Sequence, residues 1–208
     1  MTIQVASKGE QTRQRLMDIA QVSVLAKGFT ATSIEEIITE AGMTKSGFFY
    51  HFRDKNDLAK ALVQRYVSDE VNLMDELFEQ ADDLSEGSLH SFLIFLKLLS
   101  DRLSDLPNGH PGCIVALCCY QEQLFSQDVR DLCAGGHMTW RRVSRERLDR
   151  IAVDYPPRMD VDFDALADMF SALADGGIIL SRSLQAPTLL GQQLMLYRGF
   201  VKSVFSNV

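Results

Sequence analysis

Proline is absent from the first 106 residues of this 208-residue sequence, and only five prolines follow. A proline inside a helix removes a backbone hydrogen bond and clashes with the preceding turn, so its absence permits long uninterrupted helices. The sequence also lacks the period-two alternation of apolar and polar residues, bounded by hairpin turns, that is typical of strands. Together these absences predict an all-α protein.

Long apolar runs are missing as well. The longest comprises a handful of residues, whereas a membrane-spanning helix needs about 20, and the first residues contain no apolar core of a signal peptide. The sequence therefore predicts a cytoplasmic protein that does not interact with membranes. In such a chain the few cysteines are expected to be reduced thiols. They are Cys113, Cys118, Cys119 and Cys133.

Motifs of the common enzyme and cofactor classes are not found. The sequence contains no H-E-x-x-H, no G-x-S-x-G, no phosphate-binding loop and no dinucleotide fingerprint. His110 and Cys113 have a loose metal-ligand spacing, but no second pair completes a zinc tetrad. We therefore expect no catalytic residues, no cofactor and no metal. A helical-bundle enzyme stays an alternative only if folding brings the scattered histidines together.

Apolar residues recur at helical spacing along nearly the whole chain. Three helices, at about 11–27, 34–41 and 45–52, are expected to form a domain over residues 1–56, and residues 57–208 a six-helix domain. The division separates charge, since the first part has a net charge of +1 and the second −8. The six later helices are expected at about 57–82, 87–104, 111–124, 127–152, 162–184 and 187–206.

Residues 33–52 have the layout of a helix-turn-helix, two short helices joined by a tight turn. Ser33 is the expected N-cap of the first helix, with Glu36 at the capping-box spacing. Gly42 can adopt the positive φ of the turn, and Thr44 is expected to cap the second helix. A buried wedge would hold the two helices at a fixed angle. It would consist of Ile34, Ile37, Ile38, Ala41, Phe48 and Phe52.

Residues 12–62 resemble, without a gap, the N-terminal domain of the TetR family of bacterial transcriptional regulators. The resemblance includes the Gly28-Phe29 step and the Phe-Tyr-His-Phe run at 49–52, which closes the second helix of the motif. It implies a homodimer that binds a double-stranded DNA operator and a second domain that binds a small-molecule effector.

The outer face of that second helix carries the candidate DNA contacts. Lys45 and Ser46, in its first turn, are placed to meet base edges in the major groove, where lysine can bind guanine. Gly47 would allow the helix to approach the DNA closely. The resemblance implies phosphate contacts at further positions. These are Tyr50, His51, Lys55 and, near the start of the first motif helix, Thr32.

Phe49 departs from the family, which commonly has a tyrosine there whose hydroxyl contacts a phosphate. We expect that contact to be missing, or replaced by an apolar contact with a thymine methyl group or a sugar. The complete set of predicted DNA-binding residues is Thr32, Thr44, Lys45, Ser46, Gly47, Phe49, Tyr50, His51 and Lys55.

The last two predicted helices have apolar stripes wider than one buried face requires. Gly176-Gly177 inside such a helix costs roughly 1 kcal/mol per glycine relative to alanine, a cost that close helix packing would offset. We expect these helices to form half of a four-helix dimer interface; packing within the core of one protomer is the alternative. The predicted interface residues are Phe170, Leu173, Gly177, Leu180, Leu194, Tyr197 and Val201.

An effector pocket is expected, by analogy with the family, between the four helices that span 57–152, close to a helix break at Gly135-Gly136. Its candidate lining residues are Phe92, Phe95, Leu99, Leu117, Gln121 and Trp140.

The sequence thus predicts a repressor that a small molecule releases from a palindromic operator. A cysteine-based sensor of oxidants or electrophiles with the same fold is an alternative, although buried inert thiols are the simpler interpretation. A protein-interaction module that does not bind DNA is a further alternative.

Overall fold

The computed structural model describes residues 7–206, and within this range the chain forms nine α-helices, one 3₁₀ turn and no strand. The all-α prediction is confirmed. None of the helices in this range combines the length and the apolar character needed to cross a membrane. The helices are α1 (Lys8–Ala31), α2 (Ile34–Ala41), α3 (Lys45–His51), α4 (Lys55–Asp83), α5 (Ser88–Ser104), α6 (Ile114–Tyr120), α7 (Gln127–Asp154), α8 (Phe163–Ser183) and α9 (Leu189–Phe205), with the 3₁₀ turn at Glu122–Leu124.

The first helix is longer than predicted. It begins at Lys8 because the Ser7 hydroxyl accepts a hydrogen bond from the backbone N–H of Glu10 at 3.2 Å. Gly28 has a φ of 83° and kinks the helix, which then continues for one further turn. The helix that we expected to end at about residue 27 is therefore kinked at Gly28 and ends at Ala31.

Two predictions for the middle of the chain are wrong. The single helix expected at 111–124 is split, because Gly112 has a φ of 128° and α6 begins only at Ile114. After α6 ends at Tyr120, the backbone tightens into the 3₁₀ turn. The break expected at Gly135-Gly136 is missing, since α7 continues through both glycines.

The described chain divides into two compact units. The first unit comprises the residues up to Tyr66 together with Cys113–Cys133, and the second comprises Val67–Gly112 together with the residues from Ala134 onward. These units do not coincide with a division at residue 56, because the start of α4 and residues 113–133 pack with the N-terminal helices. The division at residue 56 stays a prediction about function.

The first unit has an apolar core between its helices. Leu16, Ile37 and Phe48 are fully buried, and the rings of Phe48 and Phe52 lie 5.6 Å apart. The guanidinium of Arg13 lies 4.9 Å from the centre of the Phe52 ring, a cation–π contact that closes this end of the core.

Residues 113–133, which we call the docking segment, are part of the first unit although they are remote in sequence from its other residues. They attach to α1 and α4 through one aromatic, one capping and one ionic contact. These are Phe125 against Phe29 with ring centroids 4.8 Å apart, Ser126 N donating to Asn56 Oδ1 at 3.1 Å, and Lys60 Nζ beside Asp128 Oδ2 at 3.0 Å.

The second unit is built on close packing of α5, α8 and α9. Ser100 on α5 donates a hydrogen bond to the backbone carbonyl of Gly191 on α9 at 3.0 Å. A Cβ atom on Gly177 of α8 would lie only 3.1 Å from the Cα atom of Leu190 on α9. The hydroxyl of the fully buried Tyr197 donates to the carbonyl of Leu166 at 2.9 Å.

This packing changes the predicted dimer interface. Five of the seven predicted residues lie in the core of one protomer, so the structure does not support their assignment to an interface. Leu173 and Leu180 remain, and Leu180 is 44% exposed. Helical spacing identifies a buried face but not the partner that buries it. The five core residues are Phe170, Gly177, Leu194, Tyr197 and Val201.

Candidate nucleic-acid interface

Two capping hydrogen bonds and one turn glycine fix the helix-turn-helix. Ser33 Oγ accepts from Glu36 N at 3.1 Å and starts α2, and Thr44 Oγ1 accepts from Gly47 N at 3.2 Å and starts α3. Between them Gly42 has the left-handed conformation, φ 64° and ψ 38°. The predicted caps and the predicted turn glycine are confirmed.

The side chain of Glu36 reaches α1. Its carboxylate pairs with Lys27 on that helix, with Nζ to Oε1 at 2.6 Å. The hydrogen bond from Lys27 is the largest influence that lowers the pKa of Glu36. The ion pair therefore ties α2 to α1.

The predicted wedge lies between the helices. Ile37 and Phe48 are fully buried, and Phe52 and Ala41 are nearly so, whereas Ile34 and Ile38 are half-buried. Because α3 uses this face for packing, its opposite face stays at the surface.

The exposed face of α3 carries a cation, a hydroxyl and two large aromatic side chains. Tyr50 is 84% and Phe49 42% exposed, and Lys45 and Ser46 are exposed beside them. The half-buried His51 lies with its ring centroid 5.1 Å from that of Tyr50. Such groups can bind phosphate oxygens and base edges.

Lys45 is paired with an acid of α2. Its Nζ lies 3.1 Å from Glu35 Oε1, and both side chains are about two-thirds exposed, at 63% and 66%. A backbone hydrogen bond and the contact with Lys45 lower the pKa of Glu35. An exposed ion pair of this kind contributes little to stability, so Lys45 can exchange Glu35 for another acceptor.

Gly47 has a packing role that the sequence did not reveal. A Cβ atom there would lie 2.9 Å from Met43 Cε and 3.4 Å from Thr44 Oγ1. The small residue is therefore required where the turn packs against α3, in addition to the predicted close approach to DNA.

Thr32 departs from its predicted position at the surface. It is only 1% exposed, and its hydroxyl donates to the Gly28 carbonyl at 2.9 Å and lies 3.1 Å from Ser23 Oγ. These bonds hold the segment between α1 and α2. The structure does not support a phosphate contact by this side chain.

Lys55 also points inward. Its ammonium donates to the carbonyl of Phe29, near the end of α1, and burial lowers the pKa of Lys55. The residue borders a pocket of about 240 Å³ together with Phe125 and Asn56. Lys55 thus joins α1 to the start of α4, and it must leave Phe29 to reach a phosphate.

Arg53 is a cation that sequence reasoning missed. It follows α3 directly, its side chain is 85% exposed, and its guanidinium lies 3.8 Å from Asp57 Oδ1. Its position next to the last turn of α3 was the available signal. This exposed guanidinium is better placed than Lys55 for a phosphate.

The predicted effector-pocket residues fall in both units. Phe92 and Phe95 are buried in an aromatic cluster with Phe78, whose ring is stacked 3.7 Å from that of Phe95. Leu99 and Trp140 are also buried in the second unit, whereas Leu117 and Gln121 belong to the first unit. Within residues 7–206, no group of three His, Cys, Asp or Glu side chains could hold a metal ion.

Trp140 has a buried polar atom without a partner. The residue is 8% exposed, and its indole Nε1 makes no hydrogen bond within the described part of the chain. An unpaired buried donor costs about 1–3 kcal/mol. Such an atom is available to an acceptor on a bound molecule.

Comparison with known proteins identifies relatives of the site and of the whole chain. Residues 20–62 match the family model for bacterial regulatory proteins of the tetR family. The transcriptional regulator AcuR of Cereibacter sphaeroides is 25% identical over 156 residues, which are 75% of this chain and 69% of AcuR. The regulator LmrA of Bacillus subtilis is 25% identical over 180 residues, 86% of this chain and 90% of LmrA.

The fold has solved counterparts. A TetR-family transcriptional regulator from Agrobacterium tumefaciens superposes with a TM-score of 0.78 at 18% sequence identity, covering 96% of this chain and 100% of that one. The family model spans α2, the turn and α3, so the matched residues include the site described above.

Proposed function

Because the chain belongs to the TetR family of bacterial regulatory proteins, we propose that this transcriptional regulator is a cytoplasmic repressor that binds a palindromic DNA operator as a homodimer and leaves it when a small molecule binds. Its relatives are transcriptional regulators, and the chain is not an enzyme. The proposal rests on the exposed face of α3, which lies on a frame fixed at both caps and at the turn.

The side chains on the exposed face of α3 are typical of a DNA-binding surface rather than of a face that contacts only water. Large exposed aromatic side chains are typical of binding surfaces, and Tyr50 and Phe49 lie beside the cation Lys45 and the hydroxyl of Ser46. The first turn of α3 would read base edges, whereas Tyr50, His51 and Arg53 would bind phosphates on either side.

The proposed dimer surface keeps Leu180 of the predicted interface and otherwise differs from it. Four large apolar side chains are exposed on the single chain. Two lie on α8, one lies on α9, and one belongs to the residue that follows α8. Pairing two copies through them would bury surface that one protomer leaves in water. A two-fold dimer would place its recognition helices about 34 Å apart, one turn of DNA. The exposed residues are Ile179, Leu180, Leu184 and Leu196.

The effector proposal is supported by Trp140. A ligand with an acceptor atom would relieve the cost of the unpaired indole N–H and would find aromatic surface in the same unit. A ligand that binds one arrangement of the dimer better than the other lowers DNA affinity by that difference.

Selection of random duplex DNA by the purified protein, followed by sequencing, tests the proposal. We expect enrichment of a palindrome by the natural protein and by Tyr120→Ala, which removes an exposed aromatic residue of α6. Tyr50→Ala, the matched variant on α3, should bind the enriched duplex more weakly. Failure of the natural protein to enrich any sequence at low salt would refute the proposal and favour an interaction module.

A further inference from the structure

A pocket lies within the first unit, where the docking segment meets the end of α1 and the start of α4. Its volume is about 240 Å³. A cavity of about 150 Å³ in another protein is large enough to hold benzene, so this pocket has room for one ring that carries a small polar group. Its lining residues are Phe29, Thr30, Lys55, Asn56, Leu124 and Phe125.

The apolar lining comes from α1 and from the docking segment. Phe29 and Phe125 are nearly buried, and their rings meet edge to face with centroids 4.8 Å apart. Leu124, the neighbour of Phe125, is 42% exposed, so part of the apolar lining still faces water. A ligand ring placed against these side chains would remove apolar surface from water on both partners, which favours binding.

The polar lining is cationic. The half-buried Lys55 donates through Nζ to the carbonyl of Phe29. An ammonium group has three N–H donors, so two of them remain for other acceptors. Within residues 7–206 no carboxylate forms an ion pair with this ammonium, and burial lowers the pKa of Lys55. The pocket therefore holds a partly desolvated positive charge without a compensating acid.

The acids at the start of α4 have other partners and do not line the pocket. Asp54 Oδ1 accepts from Asp57 N at 2.8 Å, and Asp57 Oδ2 accepts from Arg53 N at 3.0 Å. In the pocket itself, Asn56 Oδ1 accepts from Ser126 N at 3.1 Å, which directs the NH₂ group of the same amide to other acceptors. The charge and the donors of the pocket thus match an anion.

We propose that this pocket binds a small organic carboxylate that carries one apolar ring. The carboxylate accepts from Lys55 Nζ and from the Asn56 amide, and the ring packs against Phe29, Leu124 and Phe125. One ammonium balances one negative charge. A dianion such as a phosphate monoester would bring a second charge into a site with apolar walls, at a further cost of desolvation.

The site is separate from the proposed effector contact at Trp140, which belongs to the second unit, and the proposal does not depend on DNA binding. A carboxylate bound at Lys55 links the end of α1, the start of α4 and the docking segment. Because a ligand that binds only the folded state adds to its stability, the bound molecule stabilises the first unit.

Isothermal titration calorimetry of the full-length protein without DNA tests the proposal, with benzoate as the probe and benzyl alcohol as its uncharged counterpart. We expect benzoate to bind with a Kd of about 0.1 mM and benzyl alcohol to bind about tenfold more weakly, because only benzoate gains a hydrogen bond between charged groups. Lys55→Met removes the ammonium, keeps a long side chain and should abolish this preference. Lys97→Met, at an exposed lysine of α5 in the second unit, is the matched control and should keep it.

Leu124→Trp tests the position of the ligand while Lys55 stays in place. The larger side chain should fill the pocket and weaken both ligands at least about tenfold. This variant also decides the proposal if Lys55→Met does not fold, which circular dichroism would show. No binding of benzoate up to about 10 mM, a preference for benzoate that survives Lys55→Met, or undiminished binding by Leu124→Trp would each overturn the proposal.

Discussion

Lys45 Nζ lies 3.1 Å from Glu35 Oε1, so the cation in the first turn of α3 is held by an acid of the preceding helix. The pair orients Lys45 while DNA is absent, and both partners remain exposed to water. If Lys45 contacts DNA as proposed, a DNA acceptor replaces Glu35.

Substitutions of the two partners of this ion pair should change DNA affinity in opposite directions. If Lys45 reads a base, Lys45→Ala should cost about 1–3 kcal/mol of binding free energy and relax the sequence preference at one position. Glu35→Gln should increase affinity, because Lys45 no longer has to leave a carboxylate. Glu40→Gln, an exposed acid on the same helix, is the control for charge. Anisotropy titrations at fixed salt would check these results, and equal effects of the two glutamate variants would contradict the role of the pair.

Lys55 is expected to act on stability rather than on DNA directly. Lys55→Ala removes the hydrogen bond to the Phe29 carbonyl, so the free energy of unfolding should fall by about 1–3 kcal/mol. The salt dependence of DNA binding should stay unchanged, whereas Arg53→Ala should reduce its slope by about one unit. Urea unfolding and salt titrations would separate the two effects. If Lys55→Ala instead reduced the salt slope and left stability unchanged, Lys55 would be a phosphate contact.

The proposed dimer surface can be tested by introducing one charged side chain on each of its two helices, α8 and α9. Leu180→Glu combined with Leu196→Glu would bury two carboxylates in each copy, so we expect the protein to become a monomer and to lose high-affinity DNA binding. Val153→Glu, at an exposed apolar residue of α7, should remain a dimer. Light scattering coupled to size-exclusion chromatography gives the mass. A dimeric double variant would exclude this surface.

Two glycines of α9 should respond in opposite directions to alanine. A Cβ atom on Gly191 would lie 2.2 Å from Ser104 Oγ and 3.0 Å from the Ser100 carbonyl oxygen, whereas no atom lies within 4 Å of that position on Gly199. Gly191→Ala should cost about 1–3 kcal/mol of stability through overpacking. Gly199→Ala should add up to about 1 kcal/mol through helix propensity. Thermal and urea unfolding of both variants would show the difference.

Asp82 should contribute to the acid sensitivity of the second unit. Burial opposes its ionisation, but hydrogen bonds from Ser91 and Arg147 prevail and lower the pKa of Asp82 below its ordinary value. A carboxyl group whose pKa is lower in the folded state stabilises the protein above its unfolded pKa, and this contribution is lost as the pH falls through the folded pKa. Asp82→Asn should therefore reduce stability at pH 7 and flatten its decline below about pH 4. Asp83→Asn removes an equal charge and should leave the decline in place.

Local chemistry made the helix-turn-helix predictable. Ser33, Gly42 and Thr44 act on atoms within a few residues of themselves, so their roles can be read from sequence. The positions of the Thr32 and Lys55 side chains depend instead on tertiary contacts, which the sequence does not show. Lys55 donates to the Phe29 carbonyl, and Thr32 contacts Ser23, only because the chain turns back there.

The predicted dimer interface shows the same limit. Tyr197 and Leu194 lie on an apolar stripe that is as compatible with a partner protomer as with α5 and α8. Their burial in one protomer follows from close contacts at Gly177 and Gly191, which no periodicity reveals.

The docking segment has a consequence for chimeric repressors and biosensors. A transplant of residues 1–56 alone would separate Phe29 from Phe125 and Asn56 from Ser126, leaving the Phe29 ring in water and the Asn56 side chain without its donor. The compact unit that contains the helix-turn-helix is therefore discontinuous and consists of two stretches of chain, about 1–66 and 113–133. Grafts that carry both stretches should retain operator specificity in a new sensor.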